Sequence, residues 1–232
     1  MEFSLLGAAA IGLGGAYSVL WWEAGRGNAA VCTRHLWDIL LTAGIIGLVA
    51  GRLAAMIGGG TNPLTHLGDI LVIRGGVDTG IAAIAALTAV TFLSRKDLLP
   101  TIDAVSPAAL TGLAGWQAGC LARGACLGTP TDAVWGMHQA GSTIGRHPVE
   151  LYAAILLMVG VVALMTWKRR HPPAGIVAGA AIAWAGAVRL ATEPMRPGIG
   201  SGPEWWYAAG IVTGISVATW SWLRARGEFD QP

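Results

Sequence analysis

The chain has 232 residues, 54% of them hydrophobic and only 12% charged, with 34 glycines and 11 tryptophans. Soluble domains carry about 25% charged residues, so this composition excludes an ordinary soluble enzyme and points to a polytopic membrane protein. A net charge of +2 says little about partners, and nothing calls for nucleic acid. No long polar segment could fold apart, so a single integral membrane domain over 1–232 is expected.

Apolar runs of about 17–22 residues are separated by short loops, which predicts an all-α bundle of about seven transmembrane helices. Segment 1 runs from about 4 to 21 and ends at Trp21-Trp22. Glu2 and the lack of Lys or Arg before Arg26 argue against a cleaved secretory signal, so this segment reads as a retained helix. Segment 2 covers about 38–57 and is interrupted by Arg52. Segment 3 covers about 77–93, and segment 4 about 102–122. A polar, glycine-rich connection, 123–147, follows. Segments 5, 6 and 7 cover about 148–167, 174–193 and 205–223. Aromatic residues at the segment ends, such as Trp205-Trp206-Tyr207, read as interfacial anchors.

Seven spans divide the 15 lysines and arginines unequally. Nine (Arg26, Arg34, Arg95, Lys96, Lys168, Arg169, Arg170, Arg224 and Arg226) fall on one side. Four (Arg74, Arg123, Arg146 and Arg196) fall on the other, while Arg52 and Arg189 lie inside spans. The positive-inside rule makes the nine-charge side cytoplasmic, with the N-terminus outside and the C-terminus inside. The glycine-rich loops then face outward, and any chemistry is expected there.

Trp184 to Gly198 is the most informative stretch. Arg189, Glu193 and Arg196 stand at helical spacing on one face, before Pro194 and Pro197 break the helix. An arginine at membrane depth costs roughly 2.5 kcal/mol or more, so it must face protein or a watery cavity. Arg189 reads either as a structural ion pair with Glu193 or as a ligand for phosphate, whose geometry a guanidinium matches bidentately. Arg52 reads either as a snorkelling side chain or as a cation for an anionic headgroup. Asp38 lies about 21 Å along the same helix and cannot pair with it.

Arg146-His147-Pro148-Val149-Glu150-Leu151-Tyr152 is the densest polar cluster. Helix initiation accounts for Pro148 and Glu150 but not for Arg146 and His147. His147 is either structural or a proton carrier near neutral pH. Gly75-Gly76 before Asp78 allows close backbone approach at a helix start, or marks a capped turn. Cys32, Cys120 and Cys126 form neither a disulfide framework nor a metal motif. Phosphate-loop, zinc-hydrolase and Gly-x-Ser-x-Gly patterns are absent, so no cofactor or metal is expected.

Taken together, these pieces resemble the bacterial prolipoprotein diacylglyceryl transferases. The Gly51-Arg52 of segment 2, Arg74-Gly75-Gly76, the run from Gly119 to Thr131, Arg146-His147-Pro148-x-x-Leu151-Tyr152 and Arg189-x-x-x-Glu193-x-x-Arg196-Pro197 match family motifs in order. The resemblance implies a seven-span inner-membrane enzyme. It would move a diacylglyceryl group from phosphatidylglycerol to the lipobox cysteine of a prolipoprotein, whose signal peptide is its protein partner. It further implies Arg189, Glu193 and His147 as catalytic residues. Arg52, Gly75, Gly76, Gln117, Arg123, Arg146, Tyr152 and Arg196 would bind substrate.

The chain departs from the family pattern in several places: the polar residues of the central motif read Cys120, Arg123 and Ala125, and the first span lacks the family's aromatic motif. Gln117 stands where the family has an arginine thought essential, Gly80 where it has a histidine, and Glu150 where it has a glutamine. Arg123 is a candidate replacement cation, although six residues amount to about 9 Å along a helix. These losses leave open an inactive relative, retained as a lipid-binding or partner subunit of a membrane complex. A transporter would call for internal repeats, and none is visible.

Overall fold

The computed structural model describes residues 3–26, 33–66, 77–119, 127–139, 141–197 and 204–229. Within them lie seven helices: α1 (Phe3–Ala24), α2 (Thr33–Gly58), α3 (Thr79–Leu93), α4 (Leu98–Gly119), α5 (Val149–Lys168), α6 (Ile176–Thr192) and α7 (Glu204–Phe229). Each falls on one of the seven predicted apolar segments, so the fold is all-α. Among the described residues, three helical stretches are long and apolar enough to cross a membrane: His35–Gly58, Val149–Lys168 and Ile176–Met195. The polar connection carries a small antiparallel hairpin, β1 (Met137–His138) and β2 (Gly145–Arg146), with Met137 opposite Arg146.

Helix α4 is the hub and packs against α1, α5 and α6, while α2 pairs with α3 and α6 with α7. Small residues make these contacts close. A Cβ on Gly115 would come within 2.6 Å of the Gly12 Cα, and one on Gly51 within 2.6 Å of the Asp78 carbonyl. In lipid, helix association depends on such close packing rather than on expelling water. Leu110, Leu157, Val161, Val177 and Val188 fill the core between α4, α5 and α6. The exposed Trp21 and Trp205 side chains project near helix ends, as anchors would.

Two boundaries differ from expectation. Helix α4 starts four residues early, at Leu98, because Pro100 sits in its first turn, where a missing N–H costs nothing. Helix α1 continues past Trp21-Trp22 because Glu23 is fully buried and its carboxylate accepts from Lys168 Nζ at 2.8 Å. Lys168 is therefore not part of a solvated basic loop. It is buried, and also donates to the Ala104 carbonyl at 3.2 Å. Beside it, the Asp103 carboxylate of α4 accepts from the backbone N–H groups of Gly175 and Ala178, both at 2.7 Å. One side chain thus caps the start of α6 from another helix. Gly175 holds a left-handed φ of 99°, and a Cβ there would strike the Ser221 hydroxyl. These contacts gather the ends of α1, α5 and α7 and the starts of α4 and α6. Lys168 lies about 27 Å along α5 from Glu150, which puts the hairpin and the polar motifs at the opposite end of the bundle.

Candidate active site

At the hairpin end, α5 begins with Glu150 in its first turn and α6 ends with Arg189 in its last. Both positions suit the helix dipole, and packing of α5 on α6 brings them together. Glu150 is 5% exposed. Arg189 Nη1 donates to its carboxylate at 3.4 Å, and Arg189 Nη2 lies 3.5 Å from the Tyr207 hydroxyl of α7. The Tyr207 ring centroid lies 5.6 Å from the guanidinium carbon, in cation–π range.

Helix α6 ends at Thr192, and Glu193–Met195 tightens into a 3₁₀ turn. Arg196 follows in an extended conformation and swings back to form a close ion pair with the other Glu150 oxygen. Its contact with Glu193 is longer, 3.8 Å. The expected Arg189–Glu193 pairing is thus not what organises the stretch. Glu193 keeps a helical backbone, its N–H donating to the Arg189 carbonyl, but the ion pair of Arg189 goes to Glu150. Glu193 Oε2 and Arg196 Nε are buried without a hydrogen-bond partner among the described residues, an unfavourable state for polar atoms.

Gln117, buried near the end of α4, completes the cluster. With its amide nitrogen set toward Glu150, its oxygen accepts from Arg189 Nη1 at 3.0 Å. Two departures from the family pattern, Gln117 and Glu150, are therefore in direct contact. At Gly80 a Cβ would make ordinary contact with the Trp206 ring at 3.6 Å, so nothing in the structure explains that departure.

The Arg146–Tyr152 motif is joined to this cluster through the backbone. Gly128 N–H donates to the His147 carbonyl at 2.7 Å, His147 N–H to Thr129 at 3.1 Å, and Thr129 N–H to the Met195 carbonyl at 2.8 Å. The segment after the central motif is thus pinned between the start of α5 and the turn after α6. Gly128 is needed there, because a Cβ would collide with Met195 and Val149. Arg146 donates to the Gly128 carbonyl at 3.1 Å. His147 Nδ1 lies 3.3 Å from the Tyr152 hydroxyl, which accepts from Trp135 Nε1 at 2.8 Å.

The structure therefore brings Gln117, Arg189, Glu193 and Arg196 around Glu150, with Arg146, His147 and Tyr152 in the adjoining layer. Arg52 is 5% exposed on α2, which rules out a snorkelling side chain. Gly75, Gly76 and Arg123, with Cys120 and Cys126, lie outside the described residues. Sequence reasoning missed Glu150, Tyr207 and Trp135 as site residues. Glu150 looked like an ordinary first-turn acid, and no spacing rule links it to Arg189, 39 residues away. An apolar groove runs between α1, α4 and α5, lined by Gly15, Ala114, Gly115, Ala118, Ala154 and Met158; Ala118 follows Gln117 in sequence and Ala154 stands one turn along α5 from Glu150.

A family model described as prolipoprotein diacylglyceryl transferase matches residues 2–225. The phosphatidylglycerol–prolipoprotein diacylglyceryl transferase of Wolbachia sp. subsp. Brugia malayi is 31% identical over 180 residues, covering 72% of this chain and 68% of its own. The protein of that name from Wolbachia pipientis subsp. Culex pipiens is 30% identical over 183 residues, covering 73% and 69%. That from Geobacter sulfurreducens is 30% identical over 193 residues, covering 80% and 74%. Matches of this extent show that this chain belongs to the prolipoprotein diacylglyceryl transferase family.

Proposed function

We propose that this chain transfers the diacylglyceryl group of phosphatidylglycerol to the thiol of the lipobox cysteine in a prolipoprotein. The carrying observation is the convergence of Arg189 and Arg196 on one buried carboxylate, because a pair of guanidiniums that can hold Glu150 can hold a phosphate in its place. In the reaction, the cysteine sulfur attacks the glyceryl carbon that bears the phosphate ester. The carbon–oxygen bond breaks, a thioether forms and glycerol phosphate leaves. Charge builds on the departing phosphate oxygens, and fixed cations in a dry site stabilise it.

Arg189 is the phosphate ligand in this reading, and Gln117, Glu150 and Tyr207 aim its guanidinium. Glu193 and Arg196 complete the anion site. His147 takes the thiol proton: with Nδ1–H directed to Tyr152, Nε2 is left as the acceptor. Arg52, Arg146, Gly75, Gly76 and Arg123 are assigned to the headgroup and its approach. The groove between α1, α4 and α5 is assigned to an acyl chain, since its lining is apolar and small.

The same reading places the chain in the bacterial inner membrane as a seven-span protein. The cluster of Arg26, Arg169, Arg170, Arg224 and Arg226 at the far end supports a cytoplasmic position for that end. The hairpin and the site would then face outward, where secreted precursors emerge. The test is transfer of labelled diacylglycerol from phosphatidylglycerol to a lipobox peptide by the purified chain and by Arg189→Ala. Transfer by the wild type alone is expected. Equal transfer by Arg189→Ala, or none by well-folded wild type, overturns the assignment.

A further inference from the structure

The hairpin carries an apolar surface that the phosphate site does not use. Val134 is fully exposed, and Trp135, Ile144 and Met137 are 66%, 52% and 40% exposed. Exposed apolar side chains scattered singly need no explanation, but these four share one short excursion on either side of β1 and β2. The excursion is not a loose flank of the bundle. Trp135 Nε1 donates to the Tyr152 hydroxyl, which meets His147, and β2 leads directly into His147 through Arg146. Thr131 N–H donates to the Gly145 carbonyl at 2.8 Å, which ties the base of the excursion together.

We propose that this surface docks the apolar stretch of the precursor's signal peptide next to the acceptor cysteine. The proposal rests on the transferase reading above. A secretory signal has an apolar core followed by small residues at the processing site. Seating that stretch on Val134, Trp135, Met137 and Ile144 delivers the residues after it to the His147–Tyr152 layer. The composition of the hairpin favours an apolar peptide over a lipid surface. Elements that bind membrane surfaces combine apolar residues with lysine and arginine, whereas residues 133–145 contain neither. The edge of β1 away from β2 adds a short length of backbone against which an extended peptide can lie.

Two measurements on the full-length chain in detergent test the proposal. A photo-crosslinking amino acid at Val134 is expected to capture a synthetic peptide made of an apolar core and an acceptor cysteine, and excess unlabelled peptide should abolish capture. Val134→Asp combined with Ile144→Asp is expected to raise KM for the peptide at least five-fold, while KM for phosphatidylglycerol and kcat at saturating peptide stay the same. Both side chains are exposed, so folding is not at stake. Unchanged KM for the peptide, or crosslinks to phosphatidylglycerol vesicles and not to peptide, overturns the proposal. Peptide capture by a chain that transfers no diacylglycerol would instead support docking while sinking the transferase reading, so the two failures are separable.

Discussion

Two groups of charges are buried in this bundle, one at each end, and they are built differently. At the end away from the hairpin, Glu23, Lys168 and Asp103 are held by contacts of 2.7 to 3.2 Å, mostly to backbone or to each other. At the hairpin end, Arg196 forms a close ion pair with Glu150, while the contacts of Arg189 with Glu150 and Tyr207 stretch to 3.4 and 3.5 Å and Arg196 stands 3.8 Å from Glu193. The first group uses a lysine, a compact charge that needs few partners, with Asp103 satisfied by two backbone N–H donors and Glu23 held through one oxygen by Lys168. The second uses two arginines with more donors than the site engages. Buried charge alone therefore does not mark a site in a membrane bundle. Two arginines converging on one carboxylate do, because a ligand can take over those donors.

The comparison breaks if the far end tolerates losing its charge. Lys168→Met leaves Glu23 fully buried with no cation, an arrangement that costs about 3–5 kcal/mol. A large fall in the midpoint of thermal unfolding in detergent is expected, whereas the folded fraction keeps its transfer activity. The double variant Lys168→Met with Glu23→Leu should recover most of the loss, because a matched apolar pair replaces the ions. Unchanged stability in the single variant would show that the ion pair is not holding α1 to α5.

Arg189→Lys asks the reverse question at the hairpin end. Lysine keeps the charge but loses the planar fork, so transfer should fall about 100-fold or more, on the scale of removing one fixed donor from a charge-stabilising site. Unfolding temperature should move by no more than about 2 °C if the cluster serves ligand rather than fold. A rate within a few-fold of wild type would show that Arg189 acts as a simple point charge.

Asp103→Asn separates capping from charge at the far end. The amide can still accept one of the two N–H bonds, so the expected loss is about 1 kcal/mol, in the range of an N-cap substitution. It is read from thermal unfolding, with KM for phosphatidylglycerol unchanged.

Much of this arrangement was legible in the sequence, and what escaped has a common cause. The seven apolar segments are local patterns, and each became a helix. Arg189, Arg196, His147 and Tyr152 stood out because polar residues are expensive in apolar surroundings. The inter-helix partners were hidden. Asp103 caps a helix that begins over 70 residues later, with Gly175 and Ala178 as its donors. Lys168 sat in a Lys-Arg-Arg run that resembles any cytoplasmic flank, and only its pairing with Glu23, 145 residues away, reveals a buried role. Periodicity reports which face a residue occupies, but it does not report what packs on that face.

The smallest expected effect is also the most informative about the departures from the family pattern. Glu150→Gln makes the α5 motif match the family's own, and it removes the carboxylate that occupies both arginines. Glutamine can still accept from Arg189, so positioning is partly kept, while the ionic competition with phosphate disappears. KM for phosphatidylglycerol should therefore fall, by about two- to five-fold, or 0.4 to 1 kcal/mol of binding, and kcat should change little. If KM instead rises strongly along with a drop in kcat, Glu150 is needed as an anion that fixes both guanidiniums. Gln117 and Glu150 would then act together in place of the arginine and glutamine that the family has there. Adding Gln117→Arg to Glu150→Gln decides between the two: recovery in the double variant alone means that the two positions change as a pair.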